Sequence, residues 1–279
     1  MDFRTDLALE RREILGKQNV EGVDCTAEQR KGANITRICV RTKQASEIIG
    51  KPCGTYVTVE VTPFSRQAQL MDSGGLGAVT EELKKLLPAE GTVLVAGLGN
   101  GHITPDAFGP RAAAMVLPTR HISRELAQSA GLGNLRTVAC FCPGVLGETG
   151  MEAAETLQGV VQAVKPRAVV VMDALAAVSP NRLGCTVQLS DTGIVPGSGV
   201  GNARSLIDES VLGVPVLSLG VPTVINAATL SGKEEQREMT VTPREIDLVI
   251  ERASKLAALA LNCALQPHLR PEDILILTA

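Results

Sequence analysis

The chain has 279 residues, 44% hydrophobic and 20% charged, with a net charge of −3; that balance suits one large α/β domain and excludes a disordered or fibrous protein. There is no extended Lys/Arg block to grip a nucleic-acid backbone, and 2% aromatics with no tryptophan offer no base-stacking platforms. The longest apolar stretches fall short of the roughly 20 residues that span a bilayer, and the N-terminus lacks a secretion signal. A soluble, cytoplasmic protein with no direct nucleic-acid or membrane partner is expected.

Residues 1 to about 68 are polar and irregular, with strands expected over Ile35–Val40 and Thr55–Val61 around a Gly50-Lys51-Pro52-Cys53-Gly54 turn. This reads as a small flanking layer, residues 7–68, beside a compact α/β unit over 69–279. From Glu81 strands and helices alternate: helix to Leu87, strand Thr92–Leu98, helix Asp106–Val116, strand Thr137–Phe141, helix Glu152–Val164 and strand Ala168–Met172. Strands Thr186–Leu189 and Val214–Leu219 follow, then a long amphipathic helix from Thr242-Pro243-Arg244-Glu245 to about Ala264. The alternation predicts a mostly parallel sheet flanked by helices, with its chemistry in the loops at the strands' carboxyl ends. Seven scattered cysteines read as reduced core thiols, and Cys140 with Cys142 lacks companions for a zinc site.

The loop Gly97-Leu98-Gly99-Asn100-Gly101-His102 has His102 where a dinucleotide fingerprint needs its third glycine. Thr104 is expected to cap a helix opening with Pro105 and Asp106, so that the helix dipole favours the ionised Asp106. Asp173 is expected just past the strand Ala168–Met172, where an acidic side chain is costly unless it faces a cleft or a partner. Two carboxylates from different crossover units at one sheet edge can converge on a water or a metal. The glycine-rich segment Ser190 to Asn202 reads as a substrate-facing wall with Asp191 in support; its Asp-Thr-Gly triplet lacks the all-β surroundings of pepsin-like enzymes. No Gly-x-Ser-x-Gly elbow or His-Glu-x-x-His pair is present.

Taken together, Gly97 to Asn100, Thr104 to Ala107, Thr119-Arg120-His121, Pro143-Gly144-Val145, Asp173 to Ala177, Ser190 to Asn202, Gly220 to Val224 and Met239 to Pro243 closely resemble the germination (spore) protease family of endospore-forming bacteria. The resemblance implies a fold similar to the hydrogenase maturation endopeptidases, a phosphorylase/hydrolase-like three-layer sandwich. It also implies an atypical aspartic endopeptidase, without a cofactor, that degrades small acid-soluble spore proteins during germination. Asp106 and Asp173 take the catalytic positions, with Asn100, Thr104, Arg120, His121, Asp191, Ser198 and Asn202 as the substrate-binding or supporting set. Family members are zymogens cut at an acidic–apolar–Ala site, which Thr5-Asp6-Leu7-Ala8 resembles; cleavage between Asp6 and Leu7 would make residues 1–6 a short pro-segment. A homotetramer in the forespore or spore core is implied as well. Relatives often carry a longer insertion where this chain has residues 231–238, and Arg where it has Val178.

If the two carboxyls share a proton, repulsion raises one pKa, and Asp106 at its helix start is expected to be the ionised base. An acidic residue before the cut needs a positive partner, for which Arg120 and Arg204 are candidates. Two other readings stand beside this one: a metal-using protease or maturation factor with Asp106, Asp173 and His121 as ligands, and a spore-protein-binding homologue without activity.

Overall fold

The computed structural model describes residues 5–16, 20–30, 32–66, 74–236 and 238–278. The first four residues of the expected pro-segment and the expected boundary at 68/69 lie outside them. Among the described residues nine strands form one sheet: β1 (Val23–Arg30), β2 (Ala33–Val40), β3 (Gly54–Glu60), β4 (Val93–Gly97), β5 (Val138–Phe141), β6 (Ala168–Ala177), β7 (Thr186–Ser190), β8 (Val216–Asn226) and β9 (Thr240–Val241). Their spatial order is β1-β2-β3-β7-β8-β6-β4-β5, with β9 on the far end of β8.

The parallel part is β5-β4-β6-β8, and its strands are the apolar runs of the sequence. All five residues of β4 are buried, as strands covered on both faces must be. Alternate side chains leave for opposite faces. Val93, Val95, Val170 and Met172 pack with helices Gly74–Leu86, Phe108–Ala114 and Ile246–Leu265. Leu94, Ala96, Val169 and Val171 pack with helix Ala153–Val164 and Leu212. The result is a three-layer α/β arrangement.

The other half of the sheet is antiparallel: β7 pairs with β8 and β3, and β3 continues through β2 to β1. Strands of the N-terminal region therefore extend the sheet. β1, which hydrophobic patterning passes over, reads Val-Asp-Cys-Thr-Ala-Glu-Gln-Arg and lies at an edge, where cross-strand ion pairs such as Arg37–Glu28 (3.0 Å) and Arg41–Asp24 (2.5 Å) suit its polar side chains.

The long C-terminal helix starts at Ile246, four residues later than expected, because Thr240–Val241 joins the sheet and the Thr242 hydroxyl donates to the Thr223 carbonyl (3.0 Å). Asn262, the polar break in its apolar run, is buried; its side chain accepts from the Leu117 amide (2.9 Å) and donates to the Met115 carbonyl (3.0 Å). No helix among the described residues is long and apolar enough to cross a membrane.

Candidate active site

β4 ends opposite Met172, so from Asp173 onward β6 keeps β8 as its ladder partner while β4 has turned away. Asp173 is therefore the sixth residue of a ten-residue strand, rather than lying past its end as the sequence reading expected. The register places it opposite Gly220 of β8.

The departing chain turns through Leu98 and Gly99, and glycines allow the close approach. A Cβ on Gly97 would lie 2.3 Å from the Gly109 carbonyl oxygen, and one on Gly109 would lie 2.3 Å from that of Met172. These glycines pack a helix against strand ends, and no nucleotide loop is needed to account for them. Gly99 has φ +109°, and a Cβ there would lie 2.2 Å from the Asp106 carbonyl oxygen. The Asn100 amide donates to Asp106 Oδ2 (2.6 Å), and the Asn100 side chain in turn accepts from the His102 amide (2.8 Å).

Asp106 does not open a long helix. It closes a single 3-10 turn, Thr104–Asp106, and the following α-helix, Phe108–Ala114, begins beyond it; no side chain caps either element. The expected Thr104 cap and the expected helix-dipole bias toward ionisation are thus corrected. Burial pushes the Asp106 pKa up, the Asn100 amide opposes this, and nearby Glu148 adds to the rise. Asp173 is almost wholly buried. Desolvation lifts its carboxyl well above the usual range, with the negative charges of Asp106 and Asp6 adding to the effect and the Ala174 amide opposing it.

Both carboxyls line one cleft of about 480 Å³, walled by the Leu98–Asp106 turn, Gly144 to Gly147, β6, and the stretch Pro196 to Ser205. Glu152 lines the same cleft, and so does Asp6. The Asp6 amide donates to the Ala176 carbonyl (3.0 Å), and the Ala176 amide donates back to Asp6 Oδ2 (2.8 Å). Ser198 Oγ donates to Asp6 Oδ1 (2.7 Å). Gly199 leaves the space: a Cβ there would lie 2.2 Å from Asp6 Oδ2. The carboxylate is thus held by a hydroxyl and a backbone amide, with no guanidinium among its hydrogen-bond partners in the described structure. Arg204 lines the cleft but is exposed, and Arg120 is exposed and outside it.

Downstream, Leu7 is fully buried with Leu175, Ala177 and Ile225. Glu10, also buried, accepts from the amides of Val178 (2.7 Å) and Ser179 (2.8 Å) and from the Thr5 hydroxyl, with Arg182 at 3.7 Å. Arg182 also pairs with Glu13 and Glu60 (2.8 Å each).

Of the expected supporting set, Asn100, Ser198 and Asn202 are brought to the cleft or to its occupant. Thr104, Arg120 and His121 do not line it, and Arg120 and His121 are exposed. Asp191 lies away from it, accepting from the Thr55 amide (2.7 Å) where β3 meets β7. Among the described residues no three His, Cys, Asp or Glu side chains gather as metal ligands. Lys51, Gln188 and Glu10 hold the N-terminal segment and belong to none of the expected site motifs; a polar Gln188 in a strand buried throughout is a local signal for one of them.

A structural comparison finds the [NiFe] hydrogenase maturation protease HycI of Thermococcus kodakarensis, 18% identical over 64% of this chain and 98% of that one, with a TM-score of 0.36. Among curated proteins, the germination protease of Caldanaerobacter subterraneus is 37% identical over 98% of this chain and 97% of its own length, and that of Clostridium perfringens is 36% identical over 98% of each. The germination protease of Bacillus cytotoxicus is 38% identical over 82% of this chain. The family model described as germination protease matches residues 4–236. The chain belongs to the germination protease family and is, by that membership, a protease.

Proposed function

We propose that this chain is an endopeptidase of spore germination, made as a zymogen, that cleaves small acid-soluble spore proteins after an acidic residue and removes its own residues 1–6 in the same way. The observation that carries this reading is the seating of Asp6 in the cleft lined by Asp106 and Asp173, with a hydroxyl, an amide and a glycine gap fitted to its carboxylate. A segment so held lies as a substrate would, its next residue in an apolar pocket.

In this mechanism Asp106 and Asp173 activate the water. Asp106, half-buried and holding an amide hydrogen bond, is the partner that ionises and takes a proton from the water. Asp173, lifted further by burial and by its two acidic neighbours, stays protonated and supplies the proton to the leaving nitrogen. The homotetramer and the spore-core location rest on the family resemblance and belong to the same proposal.

The test incubates the purified chain, Asp106→Asn and Asp173→Asn with a small acid-soluble spore protein, with and without chelator, and reads the fragment termini by mass spectrometry. Cuts after acidic residues that survive chelation and vanish in both variants support the proposal. Full activity in either variant sinks it.

A further inference from the structure

The carbonyl of Asp6 is held as closely as its carboxylate. Lys51 Nζ donates to Asp6 O at 2.8 Å and Gln188 Nε2 donates to the same oxygen at 2.9 Å. Gln188 Oε1 accepts from the Ala8 amide (2.8 Å), so one side-chain amide spans Leu7 and binds the peptide groups on both sides. Using its donor and its acceptor at once fixes which way that amide faces. The two donors come from neighbouring parts of the sheet, Lys51 from the turn that leads into β3 and Gln188 from β7, which pairs with β3. Gln188 sits in β7 between Thr58 of β3 and Gly220 of β8, a buried and rigid place. Lys51 follows Gly50, whose left-handed backbone (φ 69°) ends the helix Lys43–Ile49. Both line a second cavity of about 260 Å³, which meets the main cleft at Asp6.

We propose that Lys51 and Gln188 are catalytic residues, the pair of donors that polarises the carbonyl of the residue before the cut and holds its oxygen as negative charge develops. This rests on the reading that the Asp6–Leu7 bond is cleaved. Water oxygen bonds to the Asp6 carbonyl carbon, its proton passes to the ionised carboxylate, and the C=O π pair moves onto the oxygen held by Lys51 and Gln188. The pair then reforms C=O as the C–N bond breaks, and the Leu7 nitrogen takes the proton of the second carboxyl. The products are the Asp6 carboxyl and a free Leu7 amine. Lys51 and Gln188 stand 2.8 and 2.9 Å from the oxygen of the intact peptide, within reach of the position it takes as charge develops, and the loss of one such donor lowers turnover by roughly 10²–10³-fold.

The test follows the first-order conversion of full-length chains to a Leu7 N-terminus by intact mass across pH 4–8, for the wild type, Lys51→Met, Gln188→Glu and the double variant. Gln188→Glu keeps an acceptor for the Ala8 amide and removes the donor to Asp6 O. Hydrogen exchange of the Asp6 amide, which bonds to Ala176 rather than to either residue, reports whether the segment stays seated. The expected result is a fall of about 100-fold in rate for each single variant with Asp6 protection unchanged. Rates within about threefold of the wild type overturn the proposal while leaving the cleavage reading intact. A rate loss matched by lost Asp6 protection also overturns it, since the pair would then only anchor the segment. A wild-type chain that never gains a Leu7 terminus overturns the cleavage reading, and this proposal with it.

Discussion

Replacing Gly199 with alanine tests whether the carboxylate seat governs cleavage. The added Cβ would lie 2.2 Å from Asp6 Oδ2 and 2.5 Å from the Ala176 Cβ, so the carboxylate must leave or the strand must yield. Leaving forfeits the bonds from Ser198 Oγ (2.7 Å) and the Ala176 amide (2.8 Å). Hydrogen bonds to a charged group contribute roughly 1.5–3 kcal/mol each, so the seat loses about 3–6 kcal/mol and its occupancy falls by about two to four powers of ten. Ser198→Ala removes one of the two bonds and should cost about 1.5–3 kcal/mol, or roughly 10- to 150-fold. The assay is the rate of appearance of the Leu7 terminus, with circular dichroism and a thermal melt as controls for overpacking, which costs about 1–3 kcal/mol. The graded order, wild type faster than Ser198→Ala and that faster than Gly199→Ala, is the expected result. A Gly199→Ala chain that melts normally and processes at the wild-type rate would falsify the carboxylate seat.

Two further outcomes follow from buried carboxyls. Because burial raises the Asp173 pKa in the folded chain above the ordinary aspartate value of 3.8, its stabilising contribution is complete below that value and is lost as pH rises through the folded pKa. Asp173→Asn should therefore be more stable than the wild type at pH 7, by about 1.4 kcal/mol per unit of lift, and urea midpoints from pH 4 to 8 should show the gap widening with pH; a gap that narrows contradicts the assignment. Glu10→Ala leaves the part-buried amides of Val178 and Ser179 without their partner at roughly 1 kcal/mol or more each, so urea unfolding should shift by about 2 kcal/mol or more, or limited proteolysis should show residues 5–16 released; neither change would mean that Glu10 is not the clasp.

The parallel half of the sheet was legible because strands buried on both faces carry long apolar runs, and β4, the first five residues of β6 and the start of β8 do. The two aspartates were legible for a related reason, since acidic residues at the carboxyl edge of such strands need a cleft. Their settings were not. Whether Asp173 lies within a strand or after it depends on where β4 turns away, which Gly97, Gly99 and Gly109 decide through contacts with distant backbone. Of the antiparallel half, β2, β3 and β7 were legible as strands, whereas β1 was hidden as an edge strand of mixed polarity, and the antiparallel pairing of β7 with β3 and β8 joins segments too far apart in sequence to be read locally. The Asp6 carboxylate takes a hydroxyl and a backbone amide, those of Ser198 and Ala176, as hydrogen-bond partners, while Arg204 lines the same cleft and is exposed. Lys51 and Gln188 meet Asp6 across 45 and 182 positions of sequence, and no local pattern encodes a meeting at that separation.

The proposed cut also changes the charge in the cleft, and this makes the final prediction directional. Before cleavage the cleft is lined by Asp6, Asp106, Glu152 and Asp173, and Asp106 and Asp6 both push the Asp173 pKa upward. Cleavage at Asp6–Leu7 gives Asp6 a second carboxylate, formed where Lys51 and Gln188 hold its carbonyl oxygen and close to the side-chain carboxylate that it repels. That repulsion favours departure of the released segment, whereas Leu7 and Glu10, on the other side of the cut, keep their buried contacts. With Asp6 gone, Asp173 loses one negative neighbour and gains water, and both changes lower its pKa. A carboxyl-carbon NMR titration should therefore place Asp173 lower in the processed chain than in the precursor. An equal or higher value after processing would mean that Asp6 leaves the electrostatics of the pair untouched, and that its seat in the cleft does not restrain the aspartates.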